Sequence, residues 1–119
     1  MKMIRAGVHM IEIQTNDALF TIVIGENSHD NDKLIAQARQ NDIWFHLKKF
    51  PSAHVILQCH DRPDQVTKRH LVECATQVKK HGKYRNLPYL IVMYTQISAV
   101  HRTETPGLVH VTRYQTLEI

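Results

Sequence analysis

The chain has 119 residues, a formal net charge of +4 and a pI near 9.2. A chain of this length is expected to form one domain over residues 1–119, with a core that needs no disulfide or metal. Its hydrophobic and charged fractions, 43% and 22%, are ordinary for a soluble globular protein, and no apolar run has membrane-spanning length. The basic N-terminus is not followed by a long apolar segment, so we expect a cytoplasmic protein without a signal peptide.

The charge and the cysteine content of the chain limit the classes of function that fit the sequence. Cys59 and Cys74 are too few for a disulfide framework and are predicted to be reduced thiols. Cys74 falls on the apolar face of a predicted helix, where packing is a simpler interpretation than chemistry. A small basic domain favours an anionic partner such as RNA, DNA or an acidic membrane. The alternative is that the positive charge is simply solvated.

The first part of the chain predicts two strands, at 8–13 and 18–24. In the first strand Ile11 and Ile13 alternate with polar residues, which indicates one buried face and one wet face. The second strand is apolar on both faces, which is typical of a central strand.

A polar loop follows at 25–32. It lacks the glycine spacing of a phosphate-binding loop, so no nucleotide site is predicted there. Asp30 or Asn31 is predicted to cap a short helix over 33–39.

The stretch 42–57 carries the only tryptophan and two of the three phenylalanines of the chain. Large aromatic side chains dominate small cores. Two runs of strand-forming residues, Ile43–Leu47 and 53–58, flank a short linker that contains Pro51 and Ser52. This pattern predicts a β-hairpin at the centre of the sheet.

The two histidines of this hairpin, His46 and His54, raise a question of register. Directly opposed residues of an antiparallel pair point to the same face, so a register that pairs the histidines makes their rings neighbours. A slip of one residue would send them to opposite faces. They could bind a metal ion, but no nearby HxH or CxxC spacing supplies further ligands, so no metal or other cofactor is predicted. The alternative is two partly buried imidazoles with local hydrogen bonds.

The second half of the chain predicts the long helix and the closing strands. Pro63 marks the start of a helix over 64–81, and 89–95 is an unbroken apolar strand that is expected to be buried on both faces. The remaining predicted elements are a short strand or turn at 97–101 and strands at 108–113 and 116–119. The fold class is therefore α+β, a mostly antiparallel sheet with one long and one short helix covering a face.

Four segments share a pattern with a known family. They are the Gly-x-Asn…Asn-Asp loop at 25–32, the DIWFH…SAHV pattern at 42–55, the basic turn that leads to a V-x-YT strand at 83–95, and the PG-x-V turn at 106–109. Together they resemble the RNA-binding domain of the NFACT proteins, the NFACT-R family of NEMF- and RqcH-type ribosome quality-control proteins. The signature residues are Asn27, Asn31, Asp42, Trp44, His46 and His54.

The resemblance implies a non-catalytic nucleic-acid-binding domain. RNA, as transfer RNA or ribosomal RNA, comes before DNA, and the large ribosomal subunit is a further candidate partner. Glu26 stands where many full-length relatives have a basic residue, and Ser52-Ala53 stands where they often have Pro-Gly. The Ser-Ala form is similar to that of small eukaryotic relatives that carry this domain ahead of a coiled coil. One of those is reported as a sensor of extracellular DNA, so DNA stays open as an alternative for what is expected to be a stand-alone small version.

A nucleic-acid-binding role needs cations for phosphates and aromatic rings for unpaired bases. The candidates for this role are Lys48, Lys49, Lys79, Lys80, Lys83, Tyr84, Arg85 and Arg102. Interleaving of Tyr84 with Lys83 and Arg85 suits single-stranded or looped RNA. Asn27 and Asn31 are expected to organise their loop through local hydrogen bonds, and Trp44 is expected to belong to the core.

Two other classes of function are alternatives to nucleic-acid binding. An enzyme could use Asp42, His46 and His54 as an acid–base set and Cys59 as a nucleophile, but no nucleophile motif surrounds Cys59 or any serine. A protein-interaction module that docks on the ribosome or a partner would use an exposed apolar patch instead. We predict a binding domain without catalysis.

Overall fold

The computed structural model describes the backbone of residues 2–5 and 8–119, and the side chains from Met10 onward. The strands are β1 (Lys2–Arg5), β2 (Val8–Gln14), β3 (Thr21–Gly25), β4 (Ile43–Leu47), β5 (His54–Gln58), β6 (Ile91–Gln96), β7 (Val100–Arg102), β8 (Val109–Val111) and β9 (Gln115–Glu118). The helices are α1 (Ser28–Gln37) and α2 (Lys68–Lys80), with single 3-10 turns at Pro63–Gln65 and Ile97–Ala99.

Seven strands form one antiparallel sheet in the order β1-β2-β3-β5-β4-β6-β9, and β7 and β8 form a separate two-stranded ribbon. The predicted α+β class is confirmed. The prediction of a central position for β3 is also confirmed, since β3 lies between β2 and β5. Strand β6 lies beside the edge strand β9, and its Ile91 is exposed, so the prediction that this strand is buried on both faces is wrong at that residue.

The two helices cover opposite faces of the sheet, so the prediction that both helices cover one face is wrong. Ile22 and Ile24 of β3 pack in the same cluster as Cys74 of α2, while Val23 between them packs with Leu34 and Ile35 of α1. The physical reason is that the central strands are apolar on both faces, so each face needs a cover. Cys74 is fully buried in that cluster, which confirms the prediction that it serves packing.

The β4–β5 hairpin is confirmed, and its register shows that His46 and His54 lie on the same face of the sheet. Trp44 pairs with Ile56 and Phe45 with Val55. Continuing this register by one residue places His46 opposite His54, and their ring centroids are 4.8 Å apart. The two imidazoles are therefore neighbours at the loop end of the hairpin.

Helix α1 begins five residues before the predicted start. Asn27 is its N-cap, because the Asn27 side chain accepts a hydrogen bond from the Asp30 backbone N–H at 2.9 Å. Asp30 and Asn31, the predicted caps, lie inside the first turn and are buried. The helix has a side-chain N-cap as predicted, but the capping residue is Asn27 and not Asp30 or Asn31.

Helix α2 begins at Lys68 rather than at 64. The proline at 63 starts a separate 3-10 turn, and the chain then extends before the helix begins. At the true start, His70 Nδ1 accepts a hydrogen bond from the Thr67 backbone N–H at 2.9 Å. A histidine in the third helical position is not a common cap partner, so the sequence pattern predicts a helix start at Pro63 instead.

Candidate nucleic-acid interface

Alternation along β4 places Asp42, Trp44 and His46 on the face that α1 covers. Trp44 is fully buried, which confirms that it belongs to the core. Its indole ring stacks on His46 with a centroid distance of 5.5 Å and an interplanar angle of 11°. Its Nε1–H donates a hydrogen bond to Nδ1 of His54 at 2.9 Å. Trp44 therefore contacts both signature histidines, His46 by stacking and His54 by a hydrogen bond.

The partners of the two histidines assign their tautomers. An indole N–H can only donate, so His54 Nδ1 must accept, and His54 carries its proton on Nε2. A carbonyl oxygen can only accept, so His46 Nδ1 donates to the Leu47 oxygen at 2.6 Å, and the neutral ring keeps a lone pair on Nε2. The two neighbouring rings therefore offer opposite hydrogen-bonding characters at Nε2, one donor and one acceptor.

Burial keeps both rings uncharged. Burial lowers the pKa of His54 to about 3, with a further contribution from the neighbouring His46. Burial likewise lowers the pKa of His46 from its ordinary value, although the Leu47 carbonyl opposes that shift. At neutral pH the pair is a polar, electrically neutral surface.

Asp42 supports the backbone at the opposite end of the hairpin. Its Oδ1 accepts the Cys59 backbone N–H and its Oδ2 accepts the Arg39 backbone N–H, each at 3.0 Å. The carboxylate lies four residues along the strand from His46, a separation of about 13 Å at the usual rise per residue.

The candidate catalytic set of Asp42, His46, His54 and Cys59 is therefore not brought together. Burial raises the pKa of the Cys59 thiol to about 12, and the nearby Asp42 charge adds to that rise. A nucleophilic cysteine needs the opposite shift. Within the part of the chain that the structure describes, no group of three or more His, Cys, Asp or Glu side chains could hold a metal ion.

Four of the six signature residues line a cavity of about 650 Å³, which we call the signature cavity. It lies where the start of α1, the β4–β5 loop, the end of α2 and the turn at 106–108 converge. Its lining includes Asn27, Asn31, His46, His54, Lys83 and Gly107.

Two glycines allow these segments to approach one another. Gly107 has a positive φ of 81°, and a Cβ there would lie 2.9 Å from the Ser28 Cα at the start of α1. A Cβ on Gly25 would overlap the Asn31 side chain. The family's glycines are thus explained by backbone conformation and close contact.

The predicted loop-organising role holds for Asn27 but not for the Oδ1 atom of Asn31. Asn27 caps α1, as described above, and its Nδ2 also donates to Asp30 Oδ2 at 2.7 Å. Asn31 is 6% exposed, and its Oδ1 is buried without a hydrogen-bond partner among the described residues. A polar atom in this state is rare in folded proteins.

Two segments next to the cavity lining carry basic and aromatic side chains, and we call them together the basic rim: Lys48, Lys49 and Phe50, which precede Pro51, and Lys83, Tyr84 and Arg85, which follow Gly82. The rings of Phe50 and Tyr84 are in contact, with centroids 4.4 Å apart. This contact joins the β4–β5 loop to the segment after α2. Lys83 lies 5.7 Å from the centre of the Tyr84 ring, and Lys48 lies 5.8 Å from that of Tyr114.

Three other predicted cations have different surroundings. Lys79 and Lys80 lie in the last turn of α2, where cations also favour the helix dipole, and Lys79 is half-buried. Arg102 already has a carboxylate partner, since its Nη2 and Nε lie 2.7 and 3.2 Å from the two oxygens of Asp32. This pairing lowers the pKa of Asp32 and raises that of Arg102.

Sequence reasoning did not include several residues that the fold brings to these surfaces. Tyr114 lies beneath Lys48, and His81, Ser28 and Leu108 line the signature cavity. No local pattern marks Tyr114 or His81, whereas Ser28 and Leu108 lie inside family segments. All four family segments contribute residues to the lining of the cavity.

The family assignment follows from a match to the model of the NFACT protein RNA-binding domain over residues 8–112. The chain belongs to the NFACT-R family. Coiled-coil domain-containing protein 25 of Bos taurus is 34% identical over 94 residues, which is 74% of this chain and 44% of that protein. The Rqc2 homolog RqcH of Bacillus subtilis is 30% identical over 103 residues, which is 84% of this chain and 17% of that protein.

A solved structure shows the same NFACT-R fold. The C-terminal part of the fibronectin/fibrinogen-binding protein from Streptococcus suis matches with a TM-score of 0.82 and 23% identity, over 91% of this chain and 44% of that one. The chain spans less than half the length of these curated relatives. Among the residues that the structure describes, no helix is long and apolar enough to cross a membrane.

Proposed function

We propose that residues 1–119 act as a single cytoplasmic domain that binds RNA without catalysis. The RNA is a transfer RNA or a ribosomal RNA, in the setting of ribosome-associated quality control. Membership of the NFACT-R family and similarity to RqcH support this setting. The match covers 17% of RqcH, so activities of the rest of that protein are not proposed for this chain.

The observation that carries the proposal is the contact between Phe50 and Tyr84 in the basic rim. It joins two segments that each carry cations beside an aromatic ring, Lys48 and Lys49 before Phe50 and Lys83 and Arg85 on either side of Tyr84. Rings stack on unpaired bases while flanking cations meet the phosphates, which is how single-stranded nucleic acids are usually held. A looped or single-stranded RNA segment is therefore the expected ligand.

The test is fluorescence-polarisation binding to a transfer RNA, a single-stranded RNA and a duplex DNA across a salt series. We expect tighter binding to RNA and a linear fall of log affinity with log salt concentration. The charge-reversal variants Lys48→Glu/Lys49→Glu and Lys83→Glu/Arg85→Glu should each reduce the magnitude of that slope by about 1.4 on single-stranded RNA, because two phosphate contacts are lost.

The matched control is Lys68→Glu/Arg69→Glu, which makes the same charge change at the exposed start of α2 and should leave the affinity closer to that of the parent chain. Unchanged affinity in folded rim variants would remove the rim as the site. Absence of binding to all three nucleic acids at low salt would overturn the function itself.

A protein-docking role is the second candidate, favoured by one observation. Tyr89 is 72% exposed and lies with Phe50 and Ile91 along a shallow apolar cleft beside the rim. Exposed apolar clusters often mark partner surfaces. A pull-down with ribosomal subunits that survives high salt and is lost in Tyr89→Ser would favour docking, whereas preference for duplex DNA would favour the DNA-binding alternative.

A further inference from the structure

The signature cavity contains hydrogen-bonding groups that the fold does not use. His46 and His54 each spend Nδ1 on a protein partner, and neither forms a hydrogen bond through Nε2 to another described residue. Both rings line the cavity. Neighbouring, rigidly held polar groups without partners are more typical of a binding site than of a core.

The charges around the cavity are unsuited to a phosphate. The two signature histidines are neutral, as described above. Burial lowers the pKa of His81, the third imidazole of the lining, and Glu26 lines the wall. Asp30 occupies the first turn of α1, so the helix N-terminus that faces this corner already has an acidic side chain. Lys83 is the one lysine or arginine in the described lining, and it lies where the cavity meets the basic rim.

The size and polarity suit an uncharged group with hydrogen-bonding edges. The volume of about 650 Å³ lies within the usual range of small-ligand sites. Aliphatic and backbone surface from Pro51, Ala53, Pro106 and Leu108 lines the same space. Each nucleobase presents a donor beside an acceptor on at least one edge, which complements an acceptor at His46 and a donor at His54.

We propose that the signature cavity binds one unstacked nucleobase, with His46 Nε2 accepting from the base and His54 Nε2–H donating to it. This inference rests on the proposed RNA-binding function and extends it. The basic rim holds the backbone of the strand, and the adjoining cavity receives a base that has left the stack. The signature histidines are then base-contacting residues, and Trp44 is a positioning residue that fixes the tautomer of His54 and stacks on His46.

The direct test uses the ¹⁵N-labelled 119-residue chain and long-range ¹H–¹⁵N spectra, which resolve the histidine ring nitrogens. Adenosine, guanosine, cytidine and uridine are titrated separately, with ribose 5-phosphate and inorganic phosphate as the anion arm. We expect at least one nucleoside to shift the Nε2 signals of His46 and His54 in a saturable way, at roughly millimolar concentration, as for a ligand making few contacts. The two anions should leave these signals in place.

A blocked-cavity variant separates binding in the cavity from binding elsewhere. Leu108→Trp places a large side chain at an exposed lining position, and it should weaken nucleoside binding at least about tenfold. Val72→Trp adds the same side chain at an exposed position of α2 outside the lining and should bind nucleosides like the parent chain. With RNA, Leu108→Trp should bind more weakly while keeping the parent salt slope, because the phosphate contacts of the rim are intact.

Each outcome of these experiments supports or overturns the proposed base site. Shifts caused only by the phosphate-containing probes would overturn the base site in favour of an anion site. RNA binding with no nucleoside effect, or nucleoside binding equal in Leu108→Trp and Val72→Trp, would overturn the cavity proposal and leave the proposed function standing. Nucleoside binding without RNA binding would support the cavity and overturn the function.

Discussion

His54 shows how a single buried side chain can link the fold of this protein to pH. It is 2% exposed, it accepts the Trp44 N–H, and it lies against a second imidazole. A charged ring at this position would lose its hydration and face His46. The folded protein therefore keeps His54 neutral over the whole range in which an ordinary histidine titrates.

This state predicts a loss of stability in mild acid. The unfolded chain takes up a proton on His54 below pH about 6.5, and the folded chain does not until about pH 3, so the free energy of unfolding falls as the pH falls through this window. Between pH 7.5 and pH 5 the loss from this residue should be about 2 kcal/mol. Urea unfolding at several pH values measures it.

The variant His54→Asn keeps an acceptor for Trp44 and does not titrate, so its stability should depend less on pH in this range. His110→Asn, at an exposed position of the β7–β8 ribbon, is the control and should retain the parent dependence. Equal pH dependence in all three proteins would show that His54 is not the responsible group.

Gly107 is the second residue whose role follows from local geometry. Its φ of 81° is strained for any residue with a side chain, and a Cβ would also press on Ser28. We expect Gly107→Ala to lower the free energy of unfolding by roughly 1–3 kcal/mol. Thermal unfolding compared with Pro106→Ala, which alters the same exposed turn, provides the measurement. A Gly107→Ala protein as stable as the parent would contradict the close packing described here.

At the scale of elements, α2 is attached to the sheet by a polar link at its first turn. His70 is buried, its Nδ1 accepts from Thr67 and its Nε2 lies 2.7 Å from Asp17 Oδ2 in the β2–β3 turn. Hydrogen bonds from Thr15, the Leu19 backbone and His70 lower the pKa of Asp17 to about 2. One imidazole therefore serves as both a helix cap and a connection between elements.

The variant His70→Phe retains the ring volume and removes both hydrogen bonds. It should cost about 1–3 kcal/mol, because the Thr67 N–H loses a partner at the helix start. Denaturant unfolding measures the loss, and His101→Phe, at an exposed position of the β7–β8 ribbon, serves as the comparison. If His70→Phe unfolded at the parent midpoint, packing of α2 alone would account for its attachment.

At the scale of the whole molecule, the arrangement of charge matters more than the net value of +4. Among the described residues, no rim cation has a carboxylate partner: Lys48 and Lys83 lie near aromatic rings, and Arg85 donates to a backbone carbonyl. Arg102, in contrast, is 50% exposed and bound to Asp32. A cation that already has a carboxylate partner gains less from a phosphate. Arg102 remains a predicted binding residue from sequence, and the structure gives a reason to expect a small contribution from it.

This arrangement predicts unequal effects from equal losses of charge. Arg102→Ala should change RNA affinity by less than about twofold, whereas Lys83→Ala should weaken it several-fold, as expected for loss of one phosphate contact. Polarisation titrations at a single low salt concentration measure both. Equal losses would mean that the long-range field of the protein, and not the rim, governs binding.

The amino-acid sequence by itself determined the α+β class, the central hairpin and the family. These properties depend on local patterns: alternation and apolar runs for the strands, and the DIWFH…SAHV string for the hairpin and the family resemblance. The helix starts were placed four or five residues away from their true positions, because Asn27 and His70 cap through contacts that compete with the more familiar aspartate and proline signals.

Only the tertiary structure decided which faces the helices cover and which residues meet. Strands that are apolar on both sides require two covers, but their pattern does not say which helix goes where. The signature cavity joins residues 26–31, 46–54, 81–83 and 106–108, and the basic rim joins Phe50 to Tyr84. These groups are distant along the chain, and sheet order and register bring them together, so no local pattern could place a donor and an acceptor side by side in one cavity.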